Sequence, residues 1–448
     1  MHTIEQRYQQ TLDYIYSFVD YSRTHQENLR PENFDLSRMR RFMDLLENPQ
    51  DQFPSLHIAG SKGKGSVSAF CASAYQQAGY RVGLYISPHL KDFEERMQVN
   101  GIPISRVALV EMVEEIRPAI EAVEKLTTFE IMTGMAFLHF FRESIDIAVI
   151  EVGLGGRLDA TNVISPVVSV ITSLYLEHTS ILGDTIEEIA GEKAGIIKEE
   201  VPVVTAPQKQ EALQVLKRIA GERHAPLIEV GRDYPYAIVE ADLDGQLFRI
   251  AKEKGEAAFP SEEFLIPLLG KYQVDNAAVA FAALDTARQQ GFSMEIEEIR
   301  AGFRKTNWPA RFEIARREPP LIFDSAHNPD SIEKLRQTLD EFFPGYPLIV
   351  VFGISADKQL GGMYRALLPR VEYLITSQAE HPRAMDAHQL LAEAEEYHIS
   401  GEAVPAVGEA LARALEIAGK DKMVLVTGSI FVAATARIAW GEWGQQTV

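Results

Sequence analysis

Residues 55–87 read SLHIAGSKGKGSVSAFCASAYQQAGYRVGLYIS, and the fold of this 448-residue chain turns on how that stretch divides. An apolar run, SLHIAG, meets a turn of alternating glycine and lysine, SKGKG; SVSAFCASAYQQAG then reads as a helix and YRVGLYIS as a second strand. Strand, glycine-rich turn, helix and strand in that order make a βαβ unit. Gly60-Ser61-Lys62-Gly63-Lys64-Gly65-Ser66 lies at the handover from strand to helix. Glycines there let backbone N–H groups crowd around phosphate oxygens, the helix amino end adds partial positive charge, and Lys64 can neutralise terminal phosphates. Gly65 separates Lys64 from Ser66, a departure from the usual G-x-x-x-x-G-K-[ST] spacing. A plain glycine-rich turn is the alternative, weakened by the strand-to-helix setting.

The same rhythm continues outward. DIAVIEV from Asp146, PVVSVIT from Pro166 and VPVVTA from Val201 are strand candidates, each followed by a loop or a helical pattern, and that alternation implies a parallel sheet. Between residues 232 and 260, short alternating runs such as YAIVEA and QLFRIA predict a small antiparallel insert. Helices are expected over about 272–290, closed by Gly291, and about 295–303. PPLIFDSAHN, YPLIVVFGIS, VEYLITSQAE and DKMVLVTGS then restart the strand and helix alternation of a second doubly wound α/β domain. The NWP sequence interrupts the pattern, so the linker falls within 305–309 and the domains divide as 1–304 and 305–448.

Composition narrows the function classes. Lys plus Arg number 44 against 64 Asp plus Glu, a formal charge of −20 that excludes a backbone-driven nucleic-acid binder while leaving room for local basic pockets. The single cysteine, Cys71, rules out an intrachain disulfide and is expected to pack as a small apolar residue. MHTIEQRYQQ lacks a charged-then-apolar leader and no apolar run reaches the length of a spanning helix, so a cytoplasmic protein without a membrane partner is expected; a monomer is also expected.

A phosphate loop implies magnesium, which takes oxygen ligands and retains water. Its ligands should stand just beyond strand carboxyl ends, where open α/β sheets bind. Ser87 ends GLYIS, Glu151 ends DIAVIE, and His178 follows VITSLYLEH. Taken singly, Ser87 reads more readily as a helix cap, Glu151 as a solvated strand end and His178 as a core histidine; their shared placement raises the ligand reading. The turn after Glu151, Gly153-Leu154-Gly155-Gly156-Arg157-Leu158-Asp159, either lets a ligand approach closely or is merely flexible. Lys193 lies on a helix in EKAGIIK, where a lysine is ordinarily solvated. In the second domain Asp324, His327 and Asn328 follow PLIF at a strand end, placed to face a nucleotide or metal, although Asn328-Pro329 also suits the start of a helix.

The ordered set GSKGKGS, YISPHL, FEERMQVNG, TTFE, EVGLGGRLDATN, LEHTSILGDT, EKAGIIK, GKYQVDNAAVA, WPARFE, DSAHNP and TGSIFVAATAR resembles the folylpolyglutamate synthase and dihydrofolate synthase family of the Mur ligase superfamily. The resemblance implies an amino-terminal P-loop ATPase domain and a carboxy-terminal Rossmann-like domain with ATP bound between them. It also implies an ATP-dependent ligase that activates a folate or dihydropteroate carboxylate as an acyl phosphate and couples it to L-glutamate. Residues 60 to 66 of the loop would hold phosphates, with Lys64, Glu151, His178 and Lys193 as the catalytic set. Ser87, Glu151 and His178 match the magnesium ligands of the family, and Lys193 matches the lysine that it carries as a carbamate serving a second Mg2+. Gln273 and Asn276 fall where the family contacts adenine, and Arg311, Asp324 and His327 where its second domain grips ATP. Thr127, Thr128, Phe129, Glu130, Leu158, Asp159 and Ala160 match its pterin-binding segments, with Asp35 a looser match. Two departures stand out: Ser61-Lys62 where Thr-Asn is usual, and Glu177 where Asp more often precedes the histidine. A cell-wall ligase of the same superfamily, acting on a different carboxylate, is the rival; about 55 residues ahead of the loop are too few for the extra sugar-binding domain it needs.

Overall fold

In the computed structural model, residues 3–20, 35–252 and 259–445 are described. Strand β1 (Ser55–Ala59) is buried along its whole length, which accounts for a sequence that does not alternate: a central parallel strand is covered on both faces. It lies between β5 (Ile147–Glu151) and β6 (Val168–Ile171), parallel to both. With β2 (Val82–Tyr85), β3 (Met97–Val99), β4 (Ile102–Pro103), β7 (Val203–Thr205) and β8 (Leu227–Glu229) they form one sheet in the order β4-β3-β2-β5-β1-β6-β7-β8. Only the β2-β3-β4 edge is antiparallel; MQVNGIP (97–103) thus supplies a hairpin that the strand-helix rhythm did not reveal.

The helix Lys64–Gln77 buries Val67, Phe70, Cys71, Ala74 and Tyr75, so it is apolar nearly all round rather than amphipathic. Its outer side meets the helix Ile296–Lys305. A Cβ on Gly302 would stand 2.4 Å from Ala74 Cα, so glycine permits the approach, and Ser73 Oγ donates to Gly302 O at 2.7 Å.

The insert expected over 232–260 supplies β9 (Tyr236–Asp242) and β10 (Gly245–Lys252), and a third strand, β11 (Phe259–Ile266), mostly beyond that range, completes a sheet in the order β11-β10-β9. The two residues between β9 and β10 make that pair an antiparallel hairpin. Residues 253–258 of the expected insert lie outside the described residues. The expected helices are Lys271–Gln289 and Ile296–Lys305.

The chain divides into two units: residues 1–240, 247–267 and 273–306, and residues 241–246, 268–272 and 307–448. The second thus takes one short piece from the insert and another from the segment that follows it, which a linear boundary does not anticipate. Gln246 Nε2 ties them together by donating to Leu268 O at 2.7 Å and Gly270 O at 3.1 Å. Its sheet runs β12-β13-β17-β14-β15-β16, formed by β12 (Glu313–Arg316), β13 (Leu321–Phe323), β14 (Leu348–Phe352), β15 (Tyr373–Gln378), β16 (Gly401–Ala406) and β17 (Met423–Thr427). All neighbours are parallel except β12 and β13. Ile332, Leu335 and Leu339 pack on one face and Leu411, Ala414 and Ala436 on the other, a doubly wound arrangement. Among the described residues no helix is long and apolar enough to cross a membrane.

Candidate active site

Four loops leave the carboxyl ends of β1, β2, β5 and β6 side by side, and they carry Gly60–Ser66, Ser87, Glu151 and His178. The phosphate loop is shaped by two glycines at which any other residue would be strained. Gly60 has φ +148°, and a Cβ there would fall 1.8 Å from Thr172 Oγ1; Gly63 has φ +90°, and a Cβ would fall 2.1 Å from Asn276 Oδ1. Ser61 faces inward: its Oγ donates to Tyr175 O and accepts from Tyr175 N, both at 3.1 Å. The amides of Ser61 and Lys62 both point to Ser173 O, at 3.0 and 3.1 Å. These two residues therefore fasten the loop to the segment after β6. At the helix start Val67 N is the first amide with an intrahelical acceptor, Gly63 O at 2.9 Å, so the preceding amides of Lys64, Gly65 and Ser66 are the ones the helix leaves for an anion.

Lys64 Nζ donates to Gly60 O at 3.1 Å, and Lys193 Nζ donates to the same carbonyl at 3.0 Å. The two amines thus converge on one oxygen although 129 residues apart in sequence, a proximity invisible in EKAGIIK. Lys193 is buried and ion-paired with Glu177 at 2.9 Å, so the ordinary reading of a solvated helix lysine does not hold. Burial pulls the Lys193 amine below the usual lysine range, with Lys64 adding to the effect and Glu177 opposing it. Burial alone would raise Glu177; Lys193, Lys64, His178 and Lys62 outweigh it and hold the carboxylate well below its ordinary range.

Glu151 closes β5 with 5% exposure, and its Oε2 accepts from Ser87 N at 3.1 Å. Burial excludes the solvated strand end. His178 adopts a left-handed backbone, φ 48° and ψ 40°, ahead of the short helix Thr179–Leu182, a conformation costing about 1 kcal/mol for a residue with a Cβ. Among the described residues no group of three or more His, Cys, Asp or Glu side chains forms a metal site on its own, so an ion here would also need Ser87, phosphate or water oxygens.

Gln273 and Asn276 are buried on the helix Lys271–Gln289 and bonded to each other, Asn276 Nδ2 to Gln273 Oε1 at 3.0 Å. Asn276 Oδ1 occupies the space that Gly63 leaves open. The pair thus buttresses the phosphate loop.

The residues matched to pterin binding serve mostly to build their own elements. Asp35 caps the helix Leu36–Leu45 through Ser37 N at 2.8 Å. Thr127 and Glu130 form a capping box on the helix Thr128–Arg142, and Arg38 pairs with Glu130 at 3.2 Å. Thr128 Oγ1 donates to Ile15 O at 3.0 Å. Ala160 joins the apolar core and Leu158 is half-buried. Phe129 lies over the glycine-rich turn, its Cζ 2.4 Å from where a Gly153 Cβ would stand. Asp159 is buried; its Oδ2 accepts from Leu154 N at 2.8 Å and its Oδ1 from Thr161 N at 3.0 Å, which folds the turn after Glu151 back on itself.

In the second unit Asp324 accepts from Phe312 N and Ala326 N, both at 2.8 Å, and burial raises its carboxyl above the ordinary range. Arg311 bonds to Ser325 Oγ. His327 Nδ1 lies 2.9 Å from Ser325 O, and because a carbonyl oxygen can only accept, Nδ1 carries a proton. Asn328 caps the helix Pro329–Phe342, so its helix-opening reading holds. Thr172, Ser173 and Tyr175, which shape the phosphate loop, were not singled out in sequence; a signal was present in the loop that links PVVSVIT to the glutamate before His178.

The Mur ligase middle domain model matches residues 58–284 and the Mur ligase glutamate ligase domain model matches residues 310–430. A dihydrofolate synthase/folylpolyglutamate synthase of Bacillus subtilis is 38% identical over 411 residues, 90% of this chain and 94% of the relative. The structure of Mycobacterium tuberculosis folylpolyglutamate synthase complexed with ADP and AMPPCP superposes with a TM-score of 0.87 at 30% identity, covering 98% of this chain and 99% of that one. That of E. coli FolC in complex with DHPP and ADP gives 0.86 at 29% identity over the whole of both chains. The chain therefore belongs to the folylpolyglutamate synthase and dihydrofolate synthase family of Mur ligases, ATP-dependent enzymes that join an acid to an amino acid.

Proposed function

We propose that this enzyme couples L-glutamate to the carboxylate of a pteroate or folate at the expense of ATP, making dihydrofolate from dihydropteroate and also extending reduced folates. The observation that carries the reading is the convergence of Lys64 and Lys193 on Gly60 O beside a helix start with three unused amides. In that frame the amides of Lys64, Gly65 and Ser66 and the Lys64 ammonium hold the terminal phosphates. The substrate carboxylate attacks the γ-phosphorus, ADP leaves, and an acyl phosphate forms; the glutamate amine then displaces phosphate from the acyl carbon. Positioning and offsetting of charge do most of the work, because the phosphoryl group needs little covalent help. Gln273 and Asn276 act on the nucleotide through Gly63, and the family resemblance assigns Arg311, Asp324 and His327 to ATP binding as well. Phe129, lying over the turn ordered by Asp159, offers a flat apolar surface to the pterin, with Thr127, Thr128 and Glu130 setting its helix.

The residues present fit magnesium: Glu151 and Ser87 are joined by a hydrogen bond and, with His178, supply a hard, oxygen-rich donor set. Bound there, Mg2+ would add positive charge beside the transferring phosphoryl oxygens. We assign Lys193 as a carbamate serving a second ion, supported by its burial and its lowered affinity for a proton. Forming the carbamate replaces an ammonium by an anion and so requires Glu177 to give up its ion pair. We infer domains of residues 1–304 and 305–448, the first bearing the phosphate loop, and a cytoplasmic monomer, which light scattering and cell fractionation test. The decisive experiment is ADP release with dihydropteroate and with tetrahydrofolate, each with and without glutamate. Glutamate-dependent turnover on both is expected; turnover on neither would point to another carboxylate substrate.

A further inference from the structure

His57 is fully buried in the middle of β1, and the phosphate chemistry does not use it. Its Nε2 lies 2.8 Å from Thr161 Oγ1, which itself donates to Asp159 Oδ1 at 2.5 Å. A hydroxyl has a single proton, and here it is committed to the carboxylate, so the nitrogen must supply the other proton. His57 is thereby fixed as the neutral Nε2–H tautomer. Its Nδ1 is buried without a hydrogen-bond partner, and burial with nearby Lys198 holds the ring down to about 3, so it stays uncharged. An apolar residue would fill this strand position without stranding a nitrogen, which argues that the donor itself is the reason for histidine.

We propose that His57 is a positioning residue for the carboxylate-bearing substrate: as a fixed Nε2–H donor it sets Thr161, Thr161 orients the Asp159 carboxylate, and Asp159 holds Leu154 N in the turn beneath Phe129. The relay joins β1, which leads into the phosphate loop, to the turn that follows Glu151, so the nucleotide and pterin sides keep a common frame. Burial raises the Asp159 carboxyl above its ordinary range, opposed by Leu154 N, Thr161 and Lys64; the arrangement above is that of the carboxylate, whose two oxygens accept from Leu154 N and Thr161 N. The substrate assignment rests on the proposed function above; the proton arrangement does not.

The test combines nuclear magnetic resonance with kinetics. In protein carrying 15N-labelled histidine at pH 7, the resonances lost in His57→Phe should show the neutral Nε2–H tautomer, and the Leu154 amide should exchange slowly. His57→Phe and Thr161→Val should each speed Leu154 exchange and raise KM for the pterin substrate at least tenfold, leaving KM for ATP within twofold. His57→Gln, which keeps a donor at the same reach, should recover most of both losses. A purely packing role would lower the melting temperature without splitting the two KM values. An Nδ1–H tautomer or a charged ring at pH 7, unchanged Leu154 exchange in the variants, or equal rises in both KM values would overturn the proposal. Should His57→Phe fail to fold, Thr161→Val and His57→Gln give the same readings. A wild-type enzyme inactive on every folate would sink the proposed function, while the tautomer and the Leu154 exchange would still decide the role of His57.

Discussion

Replacing Gly63 by alanine tests the phosphate loop most sharply, because the space it needs is already taken by an identified atom. The added Cβ would meet Asn276 Oδ1 at 2.1 Å on a backbone with φ +90°. The left-handed backbone costs about 1–2 kcal/mol for a residue with a Cβ. Pushing Asn276 off its rotamer adds about 0.5–1.5 kcal/mol, and breaking its bond to the buried Gln273 Oε1 adds about 1–3 kcal/mol. If the free loop relaxes to escape this strain of roughly 2.5–6.5 kcal/mol, a nucleotide must restore it on binding, and apparent affinity falls tenfold for each 1.4 kcal/mol or so. Gly63→Ala should thus weaken nucleotide binding by about 50-fold or more. Asn276→Ala removes the steric part in advance, so the double variant should bind no worse than Gly63→Ala alone. The two changes should be non-additive by about 1.5 kcal/mol or more, as expected of groups in contact. Calorimetric titration of a non-hydrolysable ATP analogue into wild type, both single variants and the double variant reads this directly. Additive losses would refute the claim that Asn276 is what Gly63 makes room for.

Glu151→Ala and His178→Ala should each lower turnover by about 100-fold or more with the fold intact, as for loss of a group that offsets charge in the transition state; circular dichroism and steady-state rates at saturating magnesium decide it. Lys193→Ala should be nearly inactive, with acetate restoring part of the rate, and CO2-depleted wild type should regain activity with bicarbonate; high-resolution density showing a bare amine in an active crystal holding ATP and magnesium would end the carbamate assignment. Lys198 donates to Asn162 O and is lowered from 10.5 to about 8, chiefly by burial and then by Arg223 and Arg40. Between those values the unfolded chain binds more protons than the folded one, so this lysine makes stability rise with pH from about 8 to about 10.5. The melting temperature of wild type relative to Lys198→Met should therefore improve between pH 7.5 and 10; a constant gap would count against the shift.

Local order was legible wherever one segment carried its own signal. The βαβ unit at 55–87, the strand candidates from Asp146, Pro166 and Val201, and the four apolar strands of the second unit appear in the structure because a fully covered parallel strand must be written as an apolar run. The edge hairpin β3-β4 and the strands β8, β12 and β16 were not read, since edge and half-exposed strands are short and mixed in composition. Placement of Ser87, Glu151 and His178 at strand ends was likewise accessible, because the carboxyl side of a parallel sheet is where its loops gather.

Tertiary structure alone decided what those residues touch. Spacing could not tell that Lys193 is buried against Glu177 and meets Lys64 at one carbonyl, for the helix that bears it is solvated or buried according to what packs on it. Nor could it tell that Ser61 and Lys62 turn their amides to Ser173, or that Asn276 fills the space beside Gly63. Thr127, Glu130 and Asp35 match ligand residues by resemblance, and only the structure shows that they also cap helices. Periodicity records which face of an element is covered; hydrogen-bond partners, proton positions and pKa shifts depend on atoms brought together from distant segments, and that information exists only once the chain has folded.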